Sequence, residues 1–499
     1  MNESQAHVMM RNLLAFLLTI LLSVSVIAQN PASQSVVLTH VTVIDMTGAS
    51  PKPNMTVVIT GNRIAALGSP SEVSLPQNAR VVDASGKFLI PGLWDMHVHL
   101  NYDTVRQVEQ SLFPLLVANG VTSVRDMWNL HDVEGMKQIR KWRERIAEGD
   151  LIAPRLAAVG RGIDGMAGGN AYIRVKDGSE ARTAVQRIKR EGYDFVKIYS
   201  NLSRESFFAI ADEAKEQNIP FAGHVPFKVS AIEASDAGMR SMEHLFESLA
   251  PSSTMGAELK KEELELAEKI SSLSGKPLTA ALEEEARLNL ERFIDTYSDE
   301  KAASLFAHFA QNDTWQCPTL VIFQMWASVS NKHLFDDARL EYVPVSVRAK
   351  DKQYLDGMLS WSEKEISVRR KLYQLRLRQV NAAHRAGVKL LAGTDATSTY
   401  PVHGFSLHDE LALFVQAGLT PMEALQTATI NPAKFLTPAP SVGTIEQGKL
   451  ADLVLLDADP LTDINNTKKI AAVILNGRYF TRETLDKMLA DVKAAGNRK

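Results

Sequence analysis

The segment "DMHVH" at 95–99 places two histidines two positions apart, at the end of an apolar run that follows a Pro-Gly turn. In a β-strand, residues i and i+2 point to the same side, so His97 and His99 should project together while Met96 and Val98 face the packing helices. Two neutral imidazoles on one face form half of a metal site. From this pair alone, a metal site and two structural histidines in a turn are equally good interpretations.

A lysine inside an apolar strand is the second unusual feature. In "DFVKIYS", strand alternation turns Phe195, Lys197 and Tyr199 to one side of the strand. A buried ammonium is costly, so Lys197 should have an acidic partner or a depressed pKa. A neutral amine there can react with carbon dioxide to give a carbamate, whose two oxygens suit a bridge between two metal ions. An ordinary ion pair in the interior is the alternative.

Three further residues stand where other strands should end. They are His224 in "FAGHVP", His244 in "SMEHL" and Asp395 in "LLAGTDA". Each signal is weak alone, because a strand-end histidine is commonly structural and Gly-Thr-Asp is a common turn. Four histidines, one strand lysine and one aspartate, all at predicted carboxyl ends of strands, are hard to obtain by chance. Together they predict one shared site.

The elements that must position these residues alternate regularly. From 92 to 436, strand-like runs alternate with helical patterns, which predicts a parallel sheet closed into an α/β fold, a (β/α)₈ TIM barrel. Residues 36–91 and 437–485 instead contain short strand patterns separated by turns, and predict one small β-sandwich domain built from both terminal segments. The interval of about 251–385 exceeds one βα unit and predicts helical insertions that cover the barrel mouth.

The first residues have a different composition. After Arg11 comes the uncharged stretch "NLLAFLLTILLSVSVIA", which predicts a signal peptide over 1–28 with cleavage after Ala28. The expected location of the mature protein is the periplasm or outside the cell, with no stable membrane anchor; a retained anchor is the alternative. Cys317 is the only cysteine, so packing must stabilise the fold without an intrachain disulfide.

The overall composition excludes some functions. The chain has 499 residues, of which 45% are hydrophobic and 23% charged, and its formal net charge is -3. These values predict a folded protein with a large core and give no support to nucleic-acid binding by a basic surface. The expected partner is a small-molecule substrate. The sequence leaves the oligomeric state open, a homo-oligomer included.

Several motifs together resemble a known family. They are "PGLWDMHVHL", "GVTSVRDM", "FVKIYS", "GHVP", "EHL", "LLAGTDA", "SLHDELALFVQAGLTPMEALQTATINPAKFL" and "GTIEQGKLADLVLLDADPL". With them the chain resembles the metal-dependent amidohydrolase superfamily, and more narrowly its imidazolonepropionase-related, Xaa-Pro dipeptidase-like group. The resemblance covers about residues 36 to 480.

The resemblance implies a centre of two divalent metal ions. His97, His99 and Asp395 would bind the more buried ion, and His224 and His244 the second. An N-carboxylated Lys197 would bridge the two ions. Such a pair of ions lowers the pKa of a bridging water and polarises a carbonyl. Zinc is the expected ion for this ligand set, and manganese, cobalt and iron remain open.

The same resemblance suggests roles for other residues. Asp395 would act as general base and then protonate the leaving group. Tyr199, Arg161 and His403 are candidates for contacting substrate, each with a structural alternative: filling the barrel top, an exposed loop arginine, or packing. Asp126, at the end of the second strand, is a candidate for a hydrogen bond to a ligand histidine, with a plain ion pair equally plausible.

The predicted activity is hydrolysis of an amide bond in a small substrate, a dipeptide or an N-acyl amino acid. Many dipeptidase-like relatives have a histidine where this chain has Asn170, after Gly168-Gly169, which argues against prolidase-type specificity. The same centre could instead hydrolyse a cyclic amide, a lactone or a phosphoester. A barrel that only binds its ligand is the third alternative, and no predicted metal ligand is missing from the sequence.

Overall fold

The computed structural model describes residues 34–100, 104–127, 133–166, 172–273, 279–330, 336–397, 399–437 and 441–496. The predicted signal peptide and the Gly-Gly-Asn segment at 168–170 lie outside these residues. Among the helices of the described ranges, none is long and apolar enough to cross a membrane.

The first sheet joins the two ends of the chain. Its strands run in the order β16-β15-β14-β5-β1-β2-β3, and β4 pairs with β1. The contact between the terminal segments is the antiparallel β14–β5 pair, in which Leu453 lies opposite Pro91. The strands are β1 Val36–Val43, β2 Lys52–Thr60, β3 Arg63–Gly68, β4 Arg80–Asp83, β5 Phe88–Pro91, β14 Leu453–Leu456, β15 Ile470–Leu475 and β16 Arg478–Thr481.

The second sheet is the barrel. Seven strands pair in parallel in the order β13-β12-β11-β10-β8-β7-β6, and the short β9 pairs with β8. They are β6 Leu93–Val98, β7 Val121–Asp126, β8 Arg155–Asp164, β9 Ile173–Arg174, β10 Phe195–Ile198, β11 Phe221–Gly223, β12 Ser241–Glu243 and β13 Trp315–Cys317. Together with the terminal sheet, this arrangement confirms the predicted barrel with a small β-domain.

The predicted eighth barrel strand is reduced to isolated bridges. Leu390 bridges to Gln316 of β13, and Ala396 bridges to Val98 of β6, both in parallel. Between these bridges, the Asp395 N–H donates to the His97 carbonyl at 2.7 Å. Residues 390–396 therefore join the first and last barrel strands although they form no regular strand of their own.

Helices surround the barrel and fill the long interval before its last segment. Residues Val108–Leu112 form a π-helical turn, and Phe246–Ser248, Ala338–Tyr342 and Ile464–Lys468 are 3₁₀ turns. The α-helices are Val105–Gln107, Phe113–Ala118, Val133–Glu148, Gly178–Glu191, Arg204–Glu216, Ala231–Asp236, Leu249–Ser252, Gly256–Ser272, Ala280–Asp295, Asp299–Gln311, Leu320–Ala327, Val345–Leu359, Glu363–Arg385, Phe405–Gln416, Pro421–Thr427, Ile430–Leu436 and Arg482–Gly496.

Strand alternation holds in β10 and fails in β6. Val196 and Ile198 belong to the large core between the strands and the helices, as predicted. In β6, Val98 also belongs to that core, but Met96 packs with Trp315 and Cys317 in a separate small cluster. The pairing register of β6 shifts between Asp95 and Val98, so one residue is added on that strand and simple alternation is lost. The expectation that Met96 faces the helices is therefore wrong.

Candidate metal centre

The six predicted ligands come together at the carboxyl ends of the barrel strands. They line a single cavity of about 200 Å³. Apart from His97 and His99, which lie together at the end of β6, they come from different parts of the sequence, so the closed barrel brings them together. The cavity is lined by His97, His99, Tyr172, Lys197, Tyr199, His224, His244, Phe246, Ile322, Phe323, Trp326, Asp395 and Thr397.

Asp395 is the centre of the cluster. Its Oδ1 lies 3.2 Å from His97 Nε2 and 3.0 Å from His99 Nε2, and its Oδ2 lies 4.0 Å from His244 Nδ1. Burial opposes ionisation of this carboxyl, but His97 and His244 outweigh it and hold the pKa of Asp395 well below its usual range. The donor atoms of Asp395, His97 and His99 lie close enough together to bind one cation.

Lys197 is 1% exposed and belongs to the same cavity. Burial lowers the pKa of its ammonium to about 8, although Glu243 and Asp395 nearby favour the charged form. The neighbouring backbone makes room for this side chain: a Cβ on Gly223, whose φ is +132°, would lie 2.7 Å from Lys197 Cδ and 2.4 Å from the Ile198 carbonyl oxygen. Only glycine fits there, because both close approach and backbone conformation exclude a side chain.

His224 and His244 form the other side of the cluster. Their ring centroids are 4.9 Å apart, and that of His244 is 4.7 Å from that of His97. His224 Nδ1 is 2.8 Å from Ser200 Oγ, and His244 Nδ1 is 2.7 Å from Thr319 Oγ1. Burial lowers the pKa of His244 to about 3 and that of His224 well below its usual value. Both imidazoles are therefore neutral at pH 7, the form that binds metal ions.

Two ligand positions have a strained backbone. The φ angles of His244 and Asp395 are +67° and +53°, and that of Thr319, which contacts His244, is +49°. Residues other than glycine reach this left-handed region at an energetic cost, so the surrounding structure must hold them there. Such strain is concentrated at functional sites, in agreement with the position of these residues around the cavity.

The sequence prediction missed the carboxylate that orients His97. Glu243 Oε2 lies 2.9 Å from His97 Nδ1, and both Glu243 oxygens accept hydrogen bonds from Arg125 at 3.0 and 3.1 Å. Arg125, at the end of β7, is the residue that joins Glu243 in this network. The hydrogen bond between Asp126 and a ligand histidine stays a prediction. The signal was present in "SMEHL", where Glu243 precedes a predicted ligand.

A buried aspartate joins β6 to the segment that carries Asp395. Asp95 Oδ2 accepts a hydrogen bond from Thr394 Oγ1 at 2.6 Å, and Oδ1 accepts from the Thr394 and His97 N–H groups at 3.0 and 3.2 Å. Burial raises the pKa of Asp95 to about 6 despite these bonds. The network fixes His97 and Asp395 relative to each other, a role that the sequence analysis did not anticipate.

Cys317 lies near this network but is a poor ligand. Its Sγ, a His97 nitrogen and a Glu243 oxygen are close enough to form a second set of metal donors. Burial raises the pKa of the Cys317 thiol well above its usual value, and Glu243 adds to the effect. Since the thiolate is the form that binds metals, the cysteine stays a protonated packing residue.

The three candidates for contacting substrate have different positions. Tyr199 lines the cavity and stacks between Tyr172 and His224, with centroids 4.4 and 4.2 Å away. Arg161 is paired in register with Val196, which faces the helices, so the structure does not bring its side chain to the cavity. His403 is fully buried beside the site, where its Nε2 lies 3.3 Å from the His99 carbonyl oxygen, and it does not line the cavity.

Comparisons with known proteins agree with this geometry. Residues 371–479, which include Asp395, match the model of the amidohydrolase family. Ochratoxinase of Aspergillus niger is 21% identical over 491 residues, covering 86% of this chain and 83% of the relative.

Solved structures show the same fold at low sequence identity. Bottromycin amidohydrolase has a TM-score of 0.67 and 22% identity, covering 92% of this chain and 90% of its own. A Xaa-Pro dipeptidase with methionine bound in its active site has a TM-score of 0.60 and 19% identity, covering 90% of this chain and 100% of its own.

These likenesses support the resemblance to the amidohydrolase superfamily, whose members are generally metal-dependent. The predicted enzyme class, a hydrolase acting on carbon–nitrogen bonds, is confirmed at the level of this family.

Proposed function

We propose that the protein is an exported, binuclear metal-dependent amidohydrolase that cleaves the amide bond of a small substrate, an N-acyl amino acid or a dipeptide. One observation carries the proposal: six side chains from five separate segments at the barrel strand ends meet at one cavity, with the Asp395 carboxylate between His97 and His99.

The donor set fits two divalent ions. His97, His99 and Asp395 would hold one ion, and His224 and His244, both neutral at pH 7, would hold the other. Mixed imidazole and carboxylate donors suit Zn²⁺, our proposed metal. When bound, such ions acidify a water molecule and polarise the amide carbonyl.

Carboxylation of Lys197 would complete the ligand set. With a pKa of about 8, a substantial part of this amine is neutral near pH 8. Its nitrogen attacks the carbon of carbon dioxide, one carbon–oxygen π bond becomes an oxygen lone pair, and the displaced proton goes to solvent. The product is an anion with two oxygens in place of a buried cation, which removes the cost of burying an ammonium among neutral histidines.

Asp395 is the group placed to move protons. Its carboxylate is ionised, because its pKa lies well below the usual range, and it opens to the cavity with 23% of its side chain exposed. It would accept a proton from the attacking water and deliver it to the leaving nitrogen. Tyr199, in the same cavity, would orient the substrate carbonyl or carboxylate.

The cavity lining favours an acyl group over a free α-ammonium. Among the lining residues that the structure describes, Asp395 is the only carboxylate, and it is needed at the metal centre. An N-acyl amino acid would instead place an uncharged group against the apolar residues Phe246, Ile322 and Phe323. Of the two predicted substrate classes, we therefore favour N-acyl amino acids.

Elemental analysis of the purified protein, together with a hydrolysis screen on N-acyl amino acids and dipeptides, tests the proposal. About two divalent ions per chain and cleavage of an amide are expected. Two ions without amide cleavage would reject the amide assignment and direct the screen to cyclic amides, lactones and phosphoesters. No bound ion after expression with added metal would overturn the proposal.

Export is supported only by the apolar stretch after Arg11. N-terminal sequencing of the protein from a secreting host is the test, and a start at Gln29 is expected. A chain that keeps its first 28 residues would contradict cleavage and support a retained anchor.

A further inference from the structure

The helix Leu320–Ala327 forms one wall of the cavity mouth. It follows β13 directly, and its residues Ile322, Phe323 and Trp326 line the cavity. Positions separated by three or four residues share one helix face, so Phe323 and Trp326 point the same way. Their ring centroids are 5.3 Å apart at 82°. A short apolar helix thus presents two aromatic rings beside the metal centre.

A buried carboxylate fixes the start of this helix. Glu410 is 0% exposed, and its two oxygens accept hydrogen bonds from the backbone N–H groups of Leu320 and Val321, both at 2.9 Å. These N–H groups have no partner within the helix, so Glu410 satisfies them. The preceding residue, Thr319, contacts the predicted ligand His244. The same turn therefore positions both the metal centre and the aromatic wall.

Other contacts hold the rings in place. The Arg376 guanidinium lies 5.0 Å from the centroid of Phe323, and that of Arg369 lies 5.5 Å from the centroid of Trp326. Trp326 Nε1 also donates to the Tyr354 hydroxyl at 3.1 Å. Each ring is fixed by a cation, so it loses little conformational freedom when a ligand binds.

Phe246, which follows His244 by two residues, extends the same wall. Its ring centroid is 4.9 Å from that of His244 and 6.0 Å from that of Phe323. With 37% of its surface exposed, Phe246 is a large apolar side chain left open beside a metal centre. An apolar surface of this kind at a cavity mouth indicates a ligand that covers it.

We propose that Phe246, Phe323 and Trp326, here called the aromatic wall, bind an aromatic group of the substrate next to the hydrolysed amide. This proposal adds a substrate class to the proposed function and rests on that function. Aromatic rings contact one another face to edge at centroid distances of 4.5–7 Å, which gains energy beyond simple burial. The substrate class is therefore an aromatic amide: an N-aroyl amino acid, or an N-acyl amino acid with an aromatic side chain.

Equilibrium binding by calorimetry tests the aromatic wall without requiring turnover. The probes are N-benzoylglycine and N-acetylphenylalanine, each compared with N-acetylglycine, on the metal-loaded protein. We expect at least one aromatic probe to bind about 10-fold more tightly than N-acetylglycine, in line with one aromatic contact of about 1.4 kcal/mol. Phe323→Leu and Trp326→Leu should abolish this preference, whereas Leu288→Ala, an exposed residue that does not line the cavity, should retain it.

Each result has a distinct meaning. Equal affinity for aromatic and aliphatic probes, or a preference that survives both leucine variants, would overturn the aromatic wall. Hydrolysis of N-acetylglycine without aromatic preference would reject the wall and leave the proposed function intact. Aromatic preference in binding without hydrolysis of any amide would support the wall and reject the amide assignment. Metal content equal to wild type in Trp326→Leu would show that its effect comes from the mouth and not from the ligands.

Discussion

The floor and the mouth of the cavity are built from different elements. The floor consists of side chains at strand ends, such as His97 and Lys197, whose positions follow from the closed sheet. The mouth consists of side chains on a helix and a turn, such as Phe323 and Phe246. The sheet positions the candidate metal ligands, whereas the helix after β13 supplies the apolar lining and reaches the ligands through Thr319, which contacts His244. The two regions should therefore respond differently to substitution.

The largest expected effect comes from the floor. His97→Ala removes a donor that contacts Asp395, so we expect kcat/KM to fall by at least about 10³-fold, or about 4 kcal/mol of transition-state stabilisation. Metal content should fall in parallel. His308→Ala is the matched control, because this partly exposed histidine pairs with Asp236 on the outer surface. Wild-type activity in His97→Ala would show that the floor does not carry the reaction.

Glu243→Gln should have the next largest effect. The substitution keeps the shape of the side chain but removes the charge that His97 and Arg125 share. Loss of such an outer carboxylate costs about 10–100-fold in metal affinity or activity. Competition with a chelator measures the affinity, and thermal unfolding shows the cost of leaving Arg125 unpaired. Unchanged affinity would mean that Glu243 only balances the charge of Arg125.

The pH dependence of Lys197 carboxylation tests a second residue of the floor. Only the neutral amine reacts, so below a pKa of about 8 the reactive fraction falls about 10-fold per pH unit. At fixed carbon dioxide pressure, metal-free protein should show more carbamate at pH 8 than at pH 6. Nuclear magnetic resonance with ¹³C-labelled carbon dioxide measures it, and Lys197→Met should show no signal. Equal occupancy at both pH values would contradict a titrating amine.

The smallest expected effect comes from the anchor of the mouth helix. Glu410→Gln replaces one acceptor by an amide donor opposite a backbone N–H, so one of two hydrogen bonds to Leu320 and Val321 is lost. We expect KM for aromatic amides to rise several-fold, about 1 kcal/mol, with metal content unchanged. A larger loss in kcat than in KM would show instead that the helix acts through Thr319 and His244.

The sequence allowed the side chains at the ends of the barrel strands to be predicted as one site. Side chains at the ends of parallel strands share one edge of the sheet, so residue type and position were enough to bring His224 and Lys197 to one cavity. The register shift in β6 could not be predicted, because it depends on how that strand pairs with β7. This shift is why Met96 lies in the interior.

Contacts between residues far apart in the sequence were the other feature that could not be predicted. Glu243 and Arg125 are 118 positions apart, and nothing local indicates that they meet. The residues of the cavity mouth could not be predicted either. An apolar helix such as Leu320–Ala327 has the sequence pattern of a core helix, and only its neighbours in the fold show that it lines a cavity. Arg161 was predicted to contact the substrate from a loop. In the structure it belongs to β8, in register with Val196, and its side chain faces the helices.

The pairing of β5 with β14 has a consequence for how the chain is made. Strand β5 pairs with β1 on one edge and runs almost directly into the first barrel strand, but β14, its partner on the other edge, is synthesised only after the whole barrel. Until then, one edge of the early sheet offers unpaired backbone groups to any passing strand. Pairings of such long sequence separation form slowly. Biogenesis of this protein should therefore depend on late closure of the terminal sheet, and on protection of the open edge of β5 until β14 is synthesised.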